Sequence, residues 1–134
     1  MESVKKIFSI TILLIVISSV AAFSQELIFC EGIDQYNNPI NPGNVFRIDR
    51  EGSNIWLLVE ADSPCNSKIA YFDVYTVDDY RNETYYKGFN MDTSEDWDRF
   101  CTYMPFYYEG RYKIYVYNGN ERLLASGMIG IKYR

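Results

Sequence analysis

The chain has 134 residues, of which 13 are basic and 18 acidic, giving a net charge of -5. The basic residues are scattered, so the chain lacks the clustered positive charge of a nucleic-acid-binding protein. The sequence contains no histidine, which removes the Ser-His-Asp and Cys-His routes to catalysis and the commonest transition-metal ligand. We therefore expect a protein that is not an enzyme, needs no cofactor and does not bind nucleic acid.

The first 24 residues have the three-part pattern of a secretory signal peptide. Two lysines precede an almost wholly apolar run over 7–20, and the small residues Ala21, Ala22 and Ser24 follow. The run of about 14 residues is shorter than the ~20 that a membrane-spanning helix needs. We predict cleavage after Ala22 or Ser24, one mature domain over 25–134 without stable membrane insertion, and a secreted, periplasmic or cell-surface location. An uncleaved membrane anchor is the alternative.

In chain order, the rest of the sequence alternates β-prone runs with turn residues. Strands are predicted over 26–33, 45–49, 55–61, 68–77, 83–91, 97–106, 110–118 and 121–133. The segment 34–44 is rich in turn residues, and a Gly-containing loop over 50–54 predicts that its two flanking strands form a hairpin. The run 97–106 fits either a helix or a strand, and its aromatic and β-branched content favours a strand. Gly88 is a candidate bulge.

The most regular strand, 110–118, alternates strictly between two faces. Its predicted inner face is Tyr112, Ile114 and Val116, and its outer face is Lys113, Tyr115 and Tyr117. The inner face of 68–77 is predicted to be Ala70, Phe72, Val74 and Thr76, and that of 121–133 to be Leu123, Ala125, Gly127, Ile129 and Ile131. Seven or eight such strands, without a convincing helix, predict an all-β antiparallel sandwich, with a small barrel as the alternative.

The pattern Gly110-x-Tyr112-x-Ile114-x-Val116 resembles the penultimate strand of immunoglobulin-like and fibronectin-type-III-like sandwiches, including such modules of secreted bacterial proteins. The resemblance implies that Tyr112 anchors the preceding corner through its hydroxyl. It departs from antibody domains at Ile114, where these carry the second cysteine of the inter-sheet disulfide. It covers the last third of the chain and implies a fold and a compartment, because function does not follow from fold.

The three cysteines are Cys30, Cys65 and Cys101. In an oxidising compartment they predict one disulfide and one remaining thiol, and their spacing does not choose among the three pairings. The remaining thiol is expected either to be buried or to bridge to a partner. A zinc site normally needs four cysteine or histidine ligands, so no metal site is predicted from these residues.

Thirteen tyrosines in a chain of this length form the strongest candidate for a binding site. If the strands 68–77, 110–118 and 121–133 share a sheet, its outer face gathers Tyr71, Tyr75, Tyr115, Tyr117, Leu124 and Met128. Such a face suits docking of a protein or stacking on sugar rings, because tyrosine combines apolar area with a polar tip. The alternative is that these tyrosines simply favour strands and pair across them.

Two acidic clusters are weaker candidates for a calcium site. The first is Asp73, Asp78, Asp79 and Glu83, and the second is Asp92, Glu95, Asp96 and Asp98. Carboxylate oxygens suit calcium, but neither cluster has the spacing of an EF-hand loop. Facing pairs of acids also hydrolyse glycosides, yet the sequence context singles out no such pair.

The sequence therefore predicts a non-catalytic module that binds an unknown protein or glycan, or serves as a structural component. The main expectation is protein binding or a structural role. The first alternative is a carbohydrate-binding module that uses exposed tyrosines. The second is an adhesion or assembly subunit that self-associates through an unpaired cysteine or an open edge strand.

Overall fold

The computed structural model of the chain describes residues 26–134, so the predicted signal peptide lies outside the described residues. The described part is all β, which confirms the predicted fold class at that level. Its strands are β1 (Glu26–Cys30), β2 (Gly32–Ile33), β3 (Pro39–Ile40), β4 (Val45–Ile48), β5 (Ser53–Glu60), β6 (Ile69–Val77), β7 (Glu83–Asp92), β8 (Arg99–Phe106), β9 (Gly110–Asn118) and β10 (Leu123–Tyr133). Within residues 26–134, no helix has the length and apolar character needed to cross a membrane.

Eight of these strands form two sheets. The three-stranded sheet has the order β1-β5-β8, and the five-stranded sheet has the order β4-β10-β9-β6-β7. All neighbours are antiparallel except β4 and β10, which run parallel with Phe46 opposite Ile131. The expectation of antiparallel pairing throughout is therefore wrong for this edge. The described strands also outnumber the seven or eight expected. The predicted strand 26–33 is divided at Glu31 into β1 and β2, and β3 lies in the predicted loop 34–44, where it pairs with β2.

The inner faces of the two sheets share one apolar core, which fits a β-sandwich. In β9, the residues Tyr112, Ile114 and Val116 are buried as predicted, and in β6 the side chains of Ala70, Phe72 and Val74 are fully buried. The three-stranded sheet contributes Ile55, Leu57 and Val59 of β5, among others. Burial of each large apolar side chain stabilises the fold by about 1.5–3 kcal/mol, so this shared core is the main source of stability.

The corner that leads into β9 is held by a tyrosine. Gly110 has a φ of 145°, which favours glycine, and it starts the strand after the turn. Two residues later, the Tyr112 hydroxyl donates a hydrogen bond to the backbone carbonyl of Tyr108 at 2.8 Å. This is the contact that the resemblance to immunoglobulin-like sandwiches implies for Tyr112. Burial raises the pKa of Tyr112 to about 12, since the charged phenolate is disfavoured in the core.

The predicted hairpin between 45–49 and 55–61 is wrong. β4 pairs with β10 in the five-stranded sheet, whereas β5 pairs with β1 and β8 in the three-stranded sheet. The turn between them is closed by the Gly52 amide, which donates to the Asp49 carbonyl at 2.9 Å. A short glycine-containing turn serves a hairpin or a crossing between sheets equally well, so the distant partner β10 decides the outcome.

Two bulges change which residues face outward. The register of β10 shifts between Leu123 and Ala125, so Leu124 is buried with 1% exposure, and its predicted place on the outer face is wrong. Leu123, predicted to face inward, is instead exposed. In β7 the bulge falls at Tyr86 and not at Gly88, because the pairing steps from Tyr85 to Lys87. An extra residue on one strand reverses the alternation beyond it.

The prediction of one disulfide is wrong, because Cys30, Cys65 and Cys101 are all free. Cys30 lies in β1 and Cys101 in β8, with β5 between them. Two strand spacings amount to ~9.6 Å, which exceeds the ~7 Å limit between the Cα atoms of a disulfide. Cys65 is buried elsewhere, and its sulfur lies 3.6 Å from the hydroxyls of both Ser67 and Thr93.

Candidate functional site

The candidate site is the outer face of the five-stranded sheet, where β7, β6, β9 and β10 lie side by side. The register places Tyr71 opposite Tyr117, and Tyr75 opposite Lys113. Lys113 in turn lies opposite Met128. Six outward-facing side chains of these strands form one surface, which we call the tyrosine face. They are Tyr71, Tyr75, Tyr85, Tyr115, Tyr117 and Met128. Five of the six are residues that the sequence analysis assigned to one face, and their role in binding stays a prediction.

Four of the five rings of the tyrosine face, those of Tyr85, Tyr75, Tyr115 and Tyr117, form a continuous chain of contacts. Tyr75 lies at its centre and makes edge contacts with Tyr85 at 5.7 Å and with Tyr115 at 5.6 Å between ring centroids. Tyr115 then stacks against Tyr117 at 6.4 Å. Each such contact restricts the rotation of its rings, so the rings present a partly ordered surface before any partner binds.

Polar contacts fix Tyr115 more tightly than its neighbours. Its hydroxyl donates a hydrogen bond to Glu83 Oε1 at 2.7 Å, and this bond, together with partial burial, raises the pKa of Tyr115 to about 12. The ammonium group of Lys113 lies 5.5 Å from the centre of the Tyr115 ring. That distance is within the range of a cation–π contact, so the tyrosine face already holds one cation against an aromatic ring.

At the other end of the tyrosine face lies a concavity of about 610 Å³. We call it the acidic depression, and its lining residues are Tyr71, Asp73, Tyr117, Asn118, Gly119 and Glu121. Asp73 is half-buried and lies between Tyr71 and Tyr75 on the outer face of β6. The lining includes two carboxylates and no basic side chain. Burial, followed by the negative charge of Asp73, raises the pKa of Tyr117.

The turn that forms one wall of the acidic depression is held by buried polar groups. The Asn118 side chain is buried, and its Nδ2 donates to the Cys65 carbonyl at 2.9 Å. Its Oδ1 accepts hydrogen bonds from the backbone amides of Asn120 and Arg122, both at 2.9 Å. The Gly119 amide donates to Ser67 Oγ at 2.8 Å. These bonds tie the turn to the adjoining loop, so the wall is preorganised.

Sequence reasoning missed three members of this region. Tyr85 was not assigned to the face because the bulge at Tyr86 is invisible in the sequence. Asp73 was predicted to share a face of the strand 68–77 with Tyr71 and Tyr75, but the only role considered for its carboxylate was in a calcium cluster. Glu121 lies in a turn, where alternation gives no information about direction.

The structure disperses the first predicted calcium cluster. Asp78 Oδ1 accepts hydrogen bonds from the backbone amides of Tyr80 and Asn82, and these bonds, chiefly the one from Asn82, lower the pKa of Asp78. Asp79 pairs with Arg111 at 3.2 Å. No group of three or more potential metal-binding side chains occurs anywhere in residues 26–134.

Comparison of the chain with models of protein families found no match, and neither did its comparison with curated protein sequences.

Proposed function

We propose that this chain is a secreted or periplasmic, non-catalytic module with an immunoglobulin-like fold, and that its tyrosine face binds a protein partner. The strand orders β1-β5-β8 and β4-β10-β9-β6-β7 support the fold assignment, since one sheet of such sandwiches carries the penultimate strand between its neighbours in this way. The hydrogen bond from the Tyr112 hydroxyl to the Tyr108 carbonyl, at the corner between β8 and β9, also supports the fold assignment. The signal-peptide pattern of the first 24 residues supports the location.

The observation that carries the proposal is a contiguous, partly apolar face that no segment of residues 26–134 covers. Tyr71 is 42% exposed and Met128 44% exposed, with Tyr75, Tyr115 and Tyr117 between them. Scattered exposed apolar side chains are ordinary, whereas a contiguous patch marks an interaction surface. Tyrosine is enriched in protein interfaces because it buries a large area at low entropic cost.

The proposal is tested by selecting peptides that bind the purified protein from a displayed random library. A matched pair of variants identifies the surface used. Tyr75→Ser/Tyr115→Ser disrupts the tyrosine face, while Tyr36→Ser/Tyr80→Ser removes two exposed tyrosines elsewhere. We expect the selected peptides to bind the first variant at least tenfold more weakly and the second unchanged. Equal binding to both variants, or no enrichment of any peptide, would refute protein binding by this face.

A glycan array probed with the same proteins distinguishes the carbohydrate-binding alternative. Suppose that no peptide is enriched and that the protein binds a glycan which Tyr75→Ser/Tyr115→Ser no longer binds. The ligand of the tyrosine face would then be a sugar and not a protein. Aromatic rings stack on both classes of ligand, so the two results together identify the class.

A second candidate function, self-association, is favoured by the edge strand β7. It is ten residues long, it pairs with β6 on one side only, and it contains no proline. Such an edge presents unpaired backbone groups to another chain. Light scattering at increasing protein concentration, with and without a reductant, tests it. A strictly monomeric protein in both conditions would rule out assembly.

A further inference from the structure

We propose that the acidic depression recognises a cationic side chain, lysine or arginine, of the partner protein, so that this end of the tyrosine face anchors a basic segment. The inference rests on the proposed function and specifies the chemistry of the partner. Three properties of the depression support it, namely its charge, its aromatic walls and its rigidity.

The charge of the acidic depression is uncompensated. In residues 26–134, neither the Asp73 carboxylate nor the Glu121 carboxylate has a hydrogen bond or ion pair. At the other end of the tyrosine face, by contrast, the Glu83 carboxylate accepts a hydrogen bond from the Tyr115 hydroxyl. Arg122, the basic residue next to Glu121 in the chain, instead donates to Ser63 Oγ and to the Pro64 carbonyl. A half-buried carboxylate without a partner is complementary to a cation.

The aromatic walls suit an organic cation. Tyr71 in β6 lies directly opposite Tyr117 in β9. Asp73 follows Tyr71 by two residues in β6, so its side chain points to the same face. A ring face attracts an ammonium or guanidinium group, and the ring also packs against the methylene groups of its side chain. The Lys113 ammonium above Tyr115 shows the same type of contact elsewhere on this face. A calcium ion would need six to eight oxygen ligands, and the lining offers two carboxylates.

The rigidity of the depression favours binding. The Asn118 side chain is committed to three hydrogen bonds and Ser67 to the Gly119 amide, so the wall does not have to be ordered when a ligand enters. A preformed site loses less entropy on binding than a flexible one. An acidic protein of net charge -5 also attracts a basic segment over a longer range.

The test uses four nine-residue Gly-Ser peptides that differ only at the central residue, which is lysine, arginine, norleucine or glutamate. Each is titrated into the purified protein at low salt while backbone amide resonances are recorded. We expect the lysine and arginine peptides to shift resonances of residues 71–73 and 117–121 and to bind about fivefold more tightly than the norleucine peptide, as desolvated ion and cation–π contacts allow. The glutamate peptide is expected to leave these resonances unchanged.

Charge-matched variants locate the effect. Asp73→Asn is isosteric and points outward, and Glu121→Gln keeps the size of its side chain, so both are expected to fold. Each should weaken binding of the lysine peptide about threefold to fivefold, whereas Glu51→Gln, an exposed change of equal charge in another turn, should leave it unchanged. Raising the salt concentration should weaken the binding as well.

Two outcomes separate this inference from the proposed function. If the lysine and norleucine peptides bind equally, or if Asp73→Asn has no effect, cation recognition is refuted. If library-selected peptides still require Tyr75 and Tyr115 in that case, protein binding by the tyrosine face stands without it. If neither peptide set contacts the face, both proposals fail.

Discussion

The outer face of the three-stranded sheet is partly covered by the chain itself, whereas the outer face of the five-stranded sheet is open. The segment 31–43 packs against part of the first face, where Asn37 lines a depression together with Leu58 and Cys101. The Gly43 amide ties the segment to β1 by donating to the Phe29 carbonyl. Beneath it, Cys30 is 0% exposed and Leu58 1% exposed. Burial raises the pKa of the Cys30 thiol.

The residue types of the two outer faces match their surroundings. The covered part of the first face holds a leucine and a cysteine, which pack well away from water, and the open face holds tyrosines, whose hydroxyls stay hydrated when the rings are exposed. The contrast teaches that the chain provides a cover for part of one outer surface and none, within residues 26–134, for the other. An amphipathic surface left open in this way is the type that binds a partner.

The largest expected difference between the two faces concerns stability. Leu58→Ala should destabilise the protein by about 2–4 kcal/mol, because it leaves a cavity under the segment 31–43. Met128→Ala on the tyrosine face should cost at most about 0.5 kcal/mol, since the side chain is already exposed. Denaturant unfolding of both variants measures the difference. Similar losses in the two variants would show that the open face is also a stabilising part of the fold.

The periodic parts of the fold were predictable and the long-range parts were not. The alternation in 110–118 identifies the buried Tyr112, Ile114 and Val116, because a strand with one buried face must repeat every two residues. The partner of β4 depends on β10, which lies more than 80 residues away in sequence. Sequence near a turn does not contain that information, and the predicted hairpin is wrong for this reason.

The tyrosine face was predictable only where its strands are regular. Tyr71, Tyr75, Tyr115 and Tyr117 follow from alternation in β6 and β9. Leu124 was misplaced because a bulge in β10 shifts the register next to it. A bulge arises from packing between strands, so it leaves little trace in the residues of one strand alone.

A second comparison uses two tyrosines whose hydroxyls donate similar hydrogen bonds. The Tyr112 hydroxyl is at 2.8 Å from its acceptor in a partly buried corner, and the Tyr115 hydroxyl is at 2.7 Å from its acceptor on the open face. Tyr112→Phe should cost about 0.5–1.5 kcal/mol, because it removes the partly buried hydrogen bond to the Tyr108 carbonyl. Tyr115→Phe should cost less than about 0.5 kcal/mol, since water replaces the lost bond. Unfolding measurements that gave equal losses would contradict the distinction between the faces.

A smaller effect is expected at alkaline pH. The pKa of Tyr112 is raised from 10.0 to about 12 in the folded protein, so the neutral hydroxyl is favoured by folding. Its contribution is fully present below about pH 10 and is lost as the pH rises toward 12. The melting temperature should therefore fall less steeply above about pH 10 in Tyr112→Phe than in the wild type. Tyr115→Phe should show a smaller difference of the same sign, because Tyr115 is more exposed than Tyr112 and solvent screens its interaction with Glu83. Identical slopes in all three proteins would disprove the role of the buried phenol.

The smallest expected change in stability concerns Gly88, which lies opposite Asp73. A Cβ atom at Gly88 would lie 2.8 Å from the Tyr85 hydroxyl and 3.3 Å from Asp73 Oδ1. Because the closest atom is the end of a flexible side chain, Gly88→Ala should displace the Tyr85 ring and leave the free energy of unfolding within about 0.5 kcal/mol. Aromatic proton resonances of Tyr75 should shift, since Tyr85 contacts its ring. A loss above about 1 kcal/mol would show that Tyr85 and its neighbours in β7 are packed as rigidly as the covered face. If the Tyr85 ring instead moves at little cost, this side of the tyrosine face can adapt to partners of different shape. The Asn118 turn, which is fixed by hydrogen bonds, would meanwhile hold the acidic depression in place.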